Sequence, residues 1–188
     1  MKRPTLAIII IIAAIGGGTA WQVSRPEALP VEAPETAVPA VASDPADATY
    51  RINGEDVVLI DGYAESAAGS GTSKTVTRVW SGEPQFGDLD ADGANDAALI
   101  ITQDNGGSGT FFYIAAALKN RATGGYDGTE AYLLGDRIAP QNFSIYRGAI
   151  EVNFAERAPG EPMTARPSVG VTTYLRVEAG ALVGSNSN

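Results

Sequence analysis

Four aspartates carry the most specific chemistry in the chain. Asp88, Asp90 and Asp92 alternate, Gly93 follows, and Asp96 closes the stretch before a run of apolar residues at 97–101. A hard cation such as calcium takes six to eight oxygens from carboxylates, carbonyls and water. A short loop supplies them when ligands stand at positions 1, 3 and 5, the chain turns at 6 and a carbonyl follows at 7. Asp88, Asp90 and Asp92 fill 1, 3 and 5. Gly93 allows the turn, since no side chain opposes a positive φ. Ala94 offers its carbonyl, and Asp96 stands at 9. Carboxylates this close repel one another unless a cation lies between them. The spacing therefore predicts a metal site made of Asp88, Asp90, Asp92, Ala94 and Asp96, with Ca2+ as its ion. The competing reading is an acidic turn that is only solvated.

Position 12 holds Leu99 where an EF-hand has a bidentate glutamate, and residues 97–101 read as a strand. Residues 86–98 resemble instead the calcium loop of FG-GAP repeats, in which an aspartate-rich loop joins strands. The motif occurs once, so the resemblance implies the loop and not a propeller, which needs several blades. With one carboxylate fewer than an EF-hand, the affinity is expected to be modest, roughly 10⁻⁴–10⁻³ M as in extracellular modules, and the ion's role structural.

The rest of the composition mostly excludes. The chain has 188 residues, a net charge of −9, no cysteine and no histidine. No basic stripe suggests nucleic acid. Without cysteine there is no disulfide framework and no lipid attachment through a thiol. Without histidine, Ser-His catalysis and the usual zinc sites fall away. Ser108, in Gly106-Gly107-Ser108-Gly109, would need a lysine base, and beyond Lys2 only Lys74 and Lys119 exist. A turn explains that motif better. Asp136, Glu151 and Glu156 could serve a carboxylate hydrolase, yet nothing in the sequence pairs them across a cleft. Asp136-Arg137 reads as a structural pair whose side chains, if both lie on a strand, point to opposite faces.

Four segments divide the chain: 1–21, a signal anchor or signal peptide; 22–48, a Pro/Ala-rich linker; 49–185, a β-rich calcium-loop domain; and 186–188, a tail. Lys2 and Arg3 precede an apolar run at 6–15, and no charge occurs between Arg3 and Arg25. That length, about twenty residues, suffices for a bilayer, so residues 4–24 would anchor the chain in an inner membrane. The small residues at 16–20 equally fit cleavage after Ala20. Both readings place the remainder on the periplasmic side of a cell envelope. Prolines at 26, 30, 34, 39 and 45 keep the linker extended.

The elements that must position the acidic loop are strands. Asn53-Gly54 between apolar runs is a hairpin signal, and Arg147-Gly148 and Ala179-Gly180 read as turns. Residues 64–73 read as a glycine-rich loop and 74–80 as a strand. Runs at 97–102 and 111–118 are apolar throughout, as in strands covered on both faces, although 111–118 could also be helical. The fold class is mainly β, an antiparallel-sheet domain with room for one helix. Motifs at 87–98, 106–111, 134–138 and 158–163 together resemble a family of uncharacterised bacterial envelope proteins and lipoproteins. The likeness spans most of 50–183 and implies no activity. The lipoprotein members' attachment does not transfer, because this chain has no cysteine. The function expected is a non-enzymatic, calcium-stabilised binding or structural domain of the envelope, with an envelope protein or polymer as partner. The alternatives are a carboxylate hydrolase of an envelope polymer and an inhibitor or chaperone-like module.

Overall fold

The computed structural model describes residues 41–68, 73–80 and 82–184. Two long strands, β6 (Asp96–Asp104) and β7 (Phe111–Lys119), organise the described fold. They pair antiparallel, Ala97 opposite Ala117 and Gln103 opposite Phe111. The run at 111–118 is thus strand, not helix. Among the described residues the only helical turn is a 3-10 turn at Pro45–Asp47. Both central strands are buried on both faces, which is why their sequence is apolar without alternation.

Each central strand has its outer edge shared by two shorter ones. β4 (Lys74–Val79) pairs with residues 101–104 of β6, and β5 (Gln85–Gly87) with residues 96–98. β8 (Tyr126–Gly128) and β9 (Tyr132–Asp136) divide β7 in the same way. β3 (Tyr63–Ala67) pairs with β4 and completes a seven-stranded sheet. The expected loop over 64–73 is therefore strand as far as Ala67. The alternating partners supplied by β4 give a small-residue segment a ladder that its composition does not advertise.

One face of β6 and β7, with Ile100, Ile114 and Ala116, packs on a four-stranded sheet. That sheet runs β10 (Ala139–Tyr146), β11 (Ala149–Glu156), β12 (Val169–Glu178), β13 (Ala181–Gly184). It contributes Ile150, Val152, Phe154, Leu175 and Leu182. The other face, with Leu99, Ile101 and Tyr113, packs on the hairpin β1 (Thr49–Ile52) and β2 (Glu55–Val58) through Tyr50, Ile52 and Leu59. The result is three layers with two cores. Asn53 and Gly54 turn the first hairpin at φ 54° and 82°, the backbone that a two-residue hairpin of this kind requires.

The folded part begins before Thr49. Pro45 and Ala48 are buried, and the Tyr126 amide donates to the Ala42 carbonyl. The last residues of the expected linker thus belong to the domain. The segments 1–21 and 186–188, and the linker as far as residue 40, lie outside the described residues. No helix among the described residues is long and apolar enough to cross a membrane.

Candidate metal centre

The acidic loop links β5 to β6. Leu89 is 5 % exposed and enters the core shared with the four-stranded sheet. Of its neighbours, Asp88 is half-buried and Asp90 exposed. Asp96 is the first residue of β6, fully buried, and stands opposite Gly87 of β5. Asp88, Asp90 and Asp96 each present a carboxylate oxygen, and the three lie within 4.8 Å of one another.

Asp96 ties the loop down. One oxygen accepts the Leu89 amide at 2.7 Å and the other the Lys119 amide at 2.8 Å, so one carboxylate joins the loop's start to the end of β7. Asp88 accepts the Gly93 amide at 3.1 Å through Oδ2. Its Oδ1 is buried and has no hydrogen-bond partner. A buried acceptor left unpaired costs about 1–3 kcal/mol, more when charged. Two backbone turns are closed from within: the Asp92 amide donates to Asp90 at 3.1 Å, and the Ala94 amide to Asp92 at 2.6 Å. Ala91 and Gly93 take φ of 64° and 80°. At Ala91 that conformation is uncommon for a side-chain-bearing residue.

Burial pushes the Asp96 carboxyl above its ordinary range. The Lys119 and Leu89 amides oppose the shift, and the charges of Asp90 and Asp92 add to it. The cluster thus gathers negative charge that is partly desolvated and, among the described residues, paired with no cationic side chain. A group of oxygens in that state can hold a metal ion.

Of the residues expected from the sequence, Asp88, Asp90 and Asp96 are brought together. Asp92 is not among them: its Oδ2 faces Arg121 Nε at 3.4 Å, and its other oxygen caps Ala94. Ala94 enters the loop's hydrogen bonding through its amide. The Lys119 amide and Arg121 were not foreseen, because 23 and 29 residues separate them from the aspartates they meet (119 − 96 and 121 − 92). Only the β6–β7 register brings them there.

The other candidates stand apart from any such cluster. Asp136 and Arg137 do touch, with Arg137 Nη2 2.8 Å from Asp136 Oδ2 and Nε 3.1 Å from the same oxygen. Arg137 has left the strand at φ 50°, so the rule for neighbours on a strand no longer applies. Asp136 also accepts the Thr110 amide at 3.0 Å, and Arg157 donates to the carbonyls of Asp136, Arg137 and Ala165. The motif is a stitched corner. Glu151 and Glu156 are five residues apart on β11, hence on opposite faces. Ser108 lies in the loop between β6 and β7. Lys74 pairs with Glu65, and Lys119 Nζ sits 4.0 Å above the Tyr126 ring.

No family model, curated protein or solved structure matches the chain.

Proposed function

We propose that the loop at 88–96 binds a calcium ion that stabilises an exported β domain acting in binding or structure at a cell envelope. One observation carries the metal: three carboxylates converge within 4.8 Å while Asp88 Oδ1, buried, has no donor. A divalent ion would supply that oxygen with a partner and neutralise the mutual repulsion. Oxygen-only ligands favour calcium or magnesium over softer metals. The loop's reliance on backbone turns, in place of a rigid octahedral cage, favours the larger ion. The likeness of residues 86–98 to FG-GAP loops supports the same choice.

The envelope location rests on the sequence: the basic start, the apolar run at 6–15 and the proline-punctuated linker. The non-enzymatic reading rests on the want of histidine and cysteine and on the engagement of Lys74 by Glu65 and of Lys119 by Tyr126.

A melt in calcium and in EDTA tests the ion. A ligand that binds only the folded state at ten times its Kd stabilises by about 1.4 kcal/mol. For a domain of this size that is a rise of roughly 3–6 °C in Tm. An unchanged midpoint would remove the metal from the proposal.

A further inference from the structure

Beside the acidic loop opens a groove of about 600 Å³, within the roughly 300–1,000 Å³ usual for small-ligand sites. One wall is the loop itself, with Asp88 and Asp90. The other is the β10–β11 turn, with Tyr146 and Arg147, joined by Arg176 of β12. The walls come within ordinary contact range at Gly148 and closer at Gly87. A Cβ at Gly148 would lie 3.8 Å from the Asp88 carbonyl, and one at Gly87 would meet Ile145 at 2.6 Å.

Both arginines line the groove, and neither bonds to the acidic loop. Among the described residues the ion pairs involve Arg51, Lys74, Arg121 and Arg137, and neither Arg147 nor Arg176 takes part. Arg147 sits at φ 50° with its guanidinium 5.0 Å from the centre of the Tyr146 ring. Tyr146 is 65 % exposed, a large ring offered to solvent at the groove's rim. With a divalent ion among the aspartates, the groove would hold that ion on one side and two guanidinium groups on the other. An oxyanion suits that gap. It would complete the ion's shell of six to eight oxygens and accept from the arginines, whose planar forks match carboxylates and phosphates. The exposed aromatic face suits the C–H surface of a sugar ring.

We infer that the groove between Asp88, Asp90, Arg147, Arg176 and Tyr146 binds the carboxylate or phosphate of an acidic saccharide. The inference rests on the metal reading above, since without the ion the aspartates would repel such a group.

Calorimetric titration of the full chain with glucuronate, glucose 6-phosphate, glucose, inorganic phosphate and a glutamate-rich peptide, each in calcium and in EDTA, tests it. The acidic sugars should bind in calcium, and glucose should not. EDTA, or the exposed double substitution Arg147→Gln with Arg176→Gln, should weaken the acidic sugars at least tenfold. The two acidic sugars separate carboxylate from phosphate as the preferred group. The double variant should keep the wild-type calcium shift in Tm, because neither arginine is a metal ligand. If that shift is present but no acidic sugar binds, or the variant binds as well as wild type, the groove is not this site and the metal reading stands. No calcium shift in wild type overturns both. Free phosphate or the peptide binding as tightly as the sugars overturns the saccharide.

Discussion

Two corners of the molecule put aspartates where the chain turns, and they settle the charge in opposite ways. At the β9–β10 turn, Asp136 is closed by its own neighbour: Arg137 forks onto it, and the Thr110 amide takes the remaining valence. In the β5–β6 loop, three carboxylates share one space; among the described residues backbone amides answer them, and one buried oxygen has no donor. The first corner is complete as it stands. The second has no cationic partner for its trio among the described residues. Arg121 goes to Asp92 at the rim. Structural closure and a candidate metal site use the same residue type; what separates them here is whether the neighbouring residues bring the counter-charge.

The largest break in that comparison should come from Asp96→Ala. It leaves two amides, of Leu89 and Lys119, without acceptors at a fully buried position. Each buried unsatisfied group costs about 1–3 kcal/mol, so a loss of roughly 3 kcal/mol is expected in EDTA. The calcium-induced rise in Tm should vanish as well. Denaturant melts in both buffers measure the two effects separately. A variant that loses stability yet keeps a full calcium shift would show that Asp96 pins the loop without ligating.

Asp136→Ala is the matched control. It removes the acceptor of Thr110 and the partner of Arg137, a part-buried pair. The loss should be about 1–2 kcal/mol, equal with and without calcium. A calcium-dependent loss would mean that the two corners are coupled, contrary to the contrast drawn above.

Much of this contrast was legible in the sequence, and the part that was not has a common cause. Asp88, Asp90 and Asp96 are neighbours along the chain, so spacing alone brings them together. The doubly covered strands were legible because burial on both faces leaves no polar alternation, and the Asn53-Gly54 hairpin because its backbone needs special residues. Asp92 stands outside the trio, and its partner, Arg121, arrives from across the β6–β7 pair. The Asp136–Arg137 contact was unexpected because it depends on one φ angle. The strand at Tyr63–Ala67 was missed because its ladder comes from β4, while its own small residues announce nothing. Local chemistry is written locally; whatever is supplied by strand register is not.

Charge removal at the loop should change sign with the buffer. In EDTA, Asp88→Asn eliminates one of three repelling charges and can keep the Gly93 bond, so the variant should melt slightly above wild type, by under about 1 kcal/mol. In calcium it should melt below, having lost a ligand. The metal-free protein should show the same logic against pH. Because burial raises the Asp96 carboxyl, the folded chain binds that proton more readily than the unfolded chain. This contribution is complete below the unfolded value and lost as pH rises through the folded one. The EDTA melt should therefore gain from this group on acidification from neutral, whereas the calcium melt should lose as protons displace the ion.

The smallest effect tests why Arg121 does not count as the missing cation. Its side chain is 63 % exposed and its contact with Asp92 is 3.4 Å long; exposed pairs of this kind contribute roughly 0–1 kcal/mol. Arg121→Ala should shift the EDTA melt by a few tenths of a kcal/mol, and raising the salt should erase the difference. Its calcium shift should match that of wild type, or exceed it slightly if freeing Asp92 lets that carboxylate turn inward to the ion. A marked drop in the calcium shift would place Arg121 within the site's own architecture, and the loop would then be closed by the chain after all, as the Asp136 corner is.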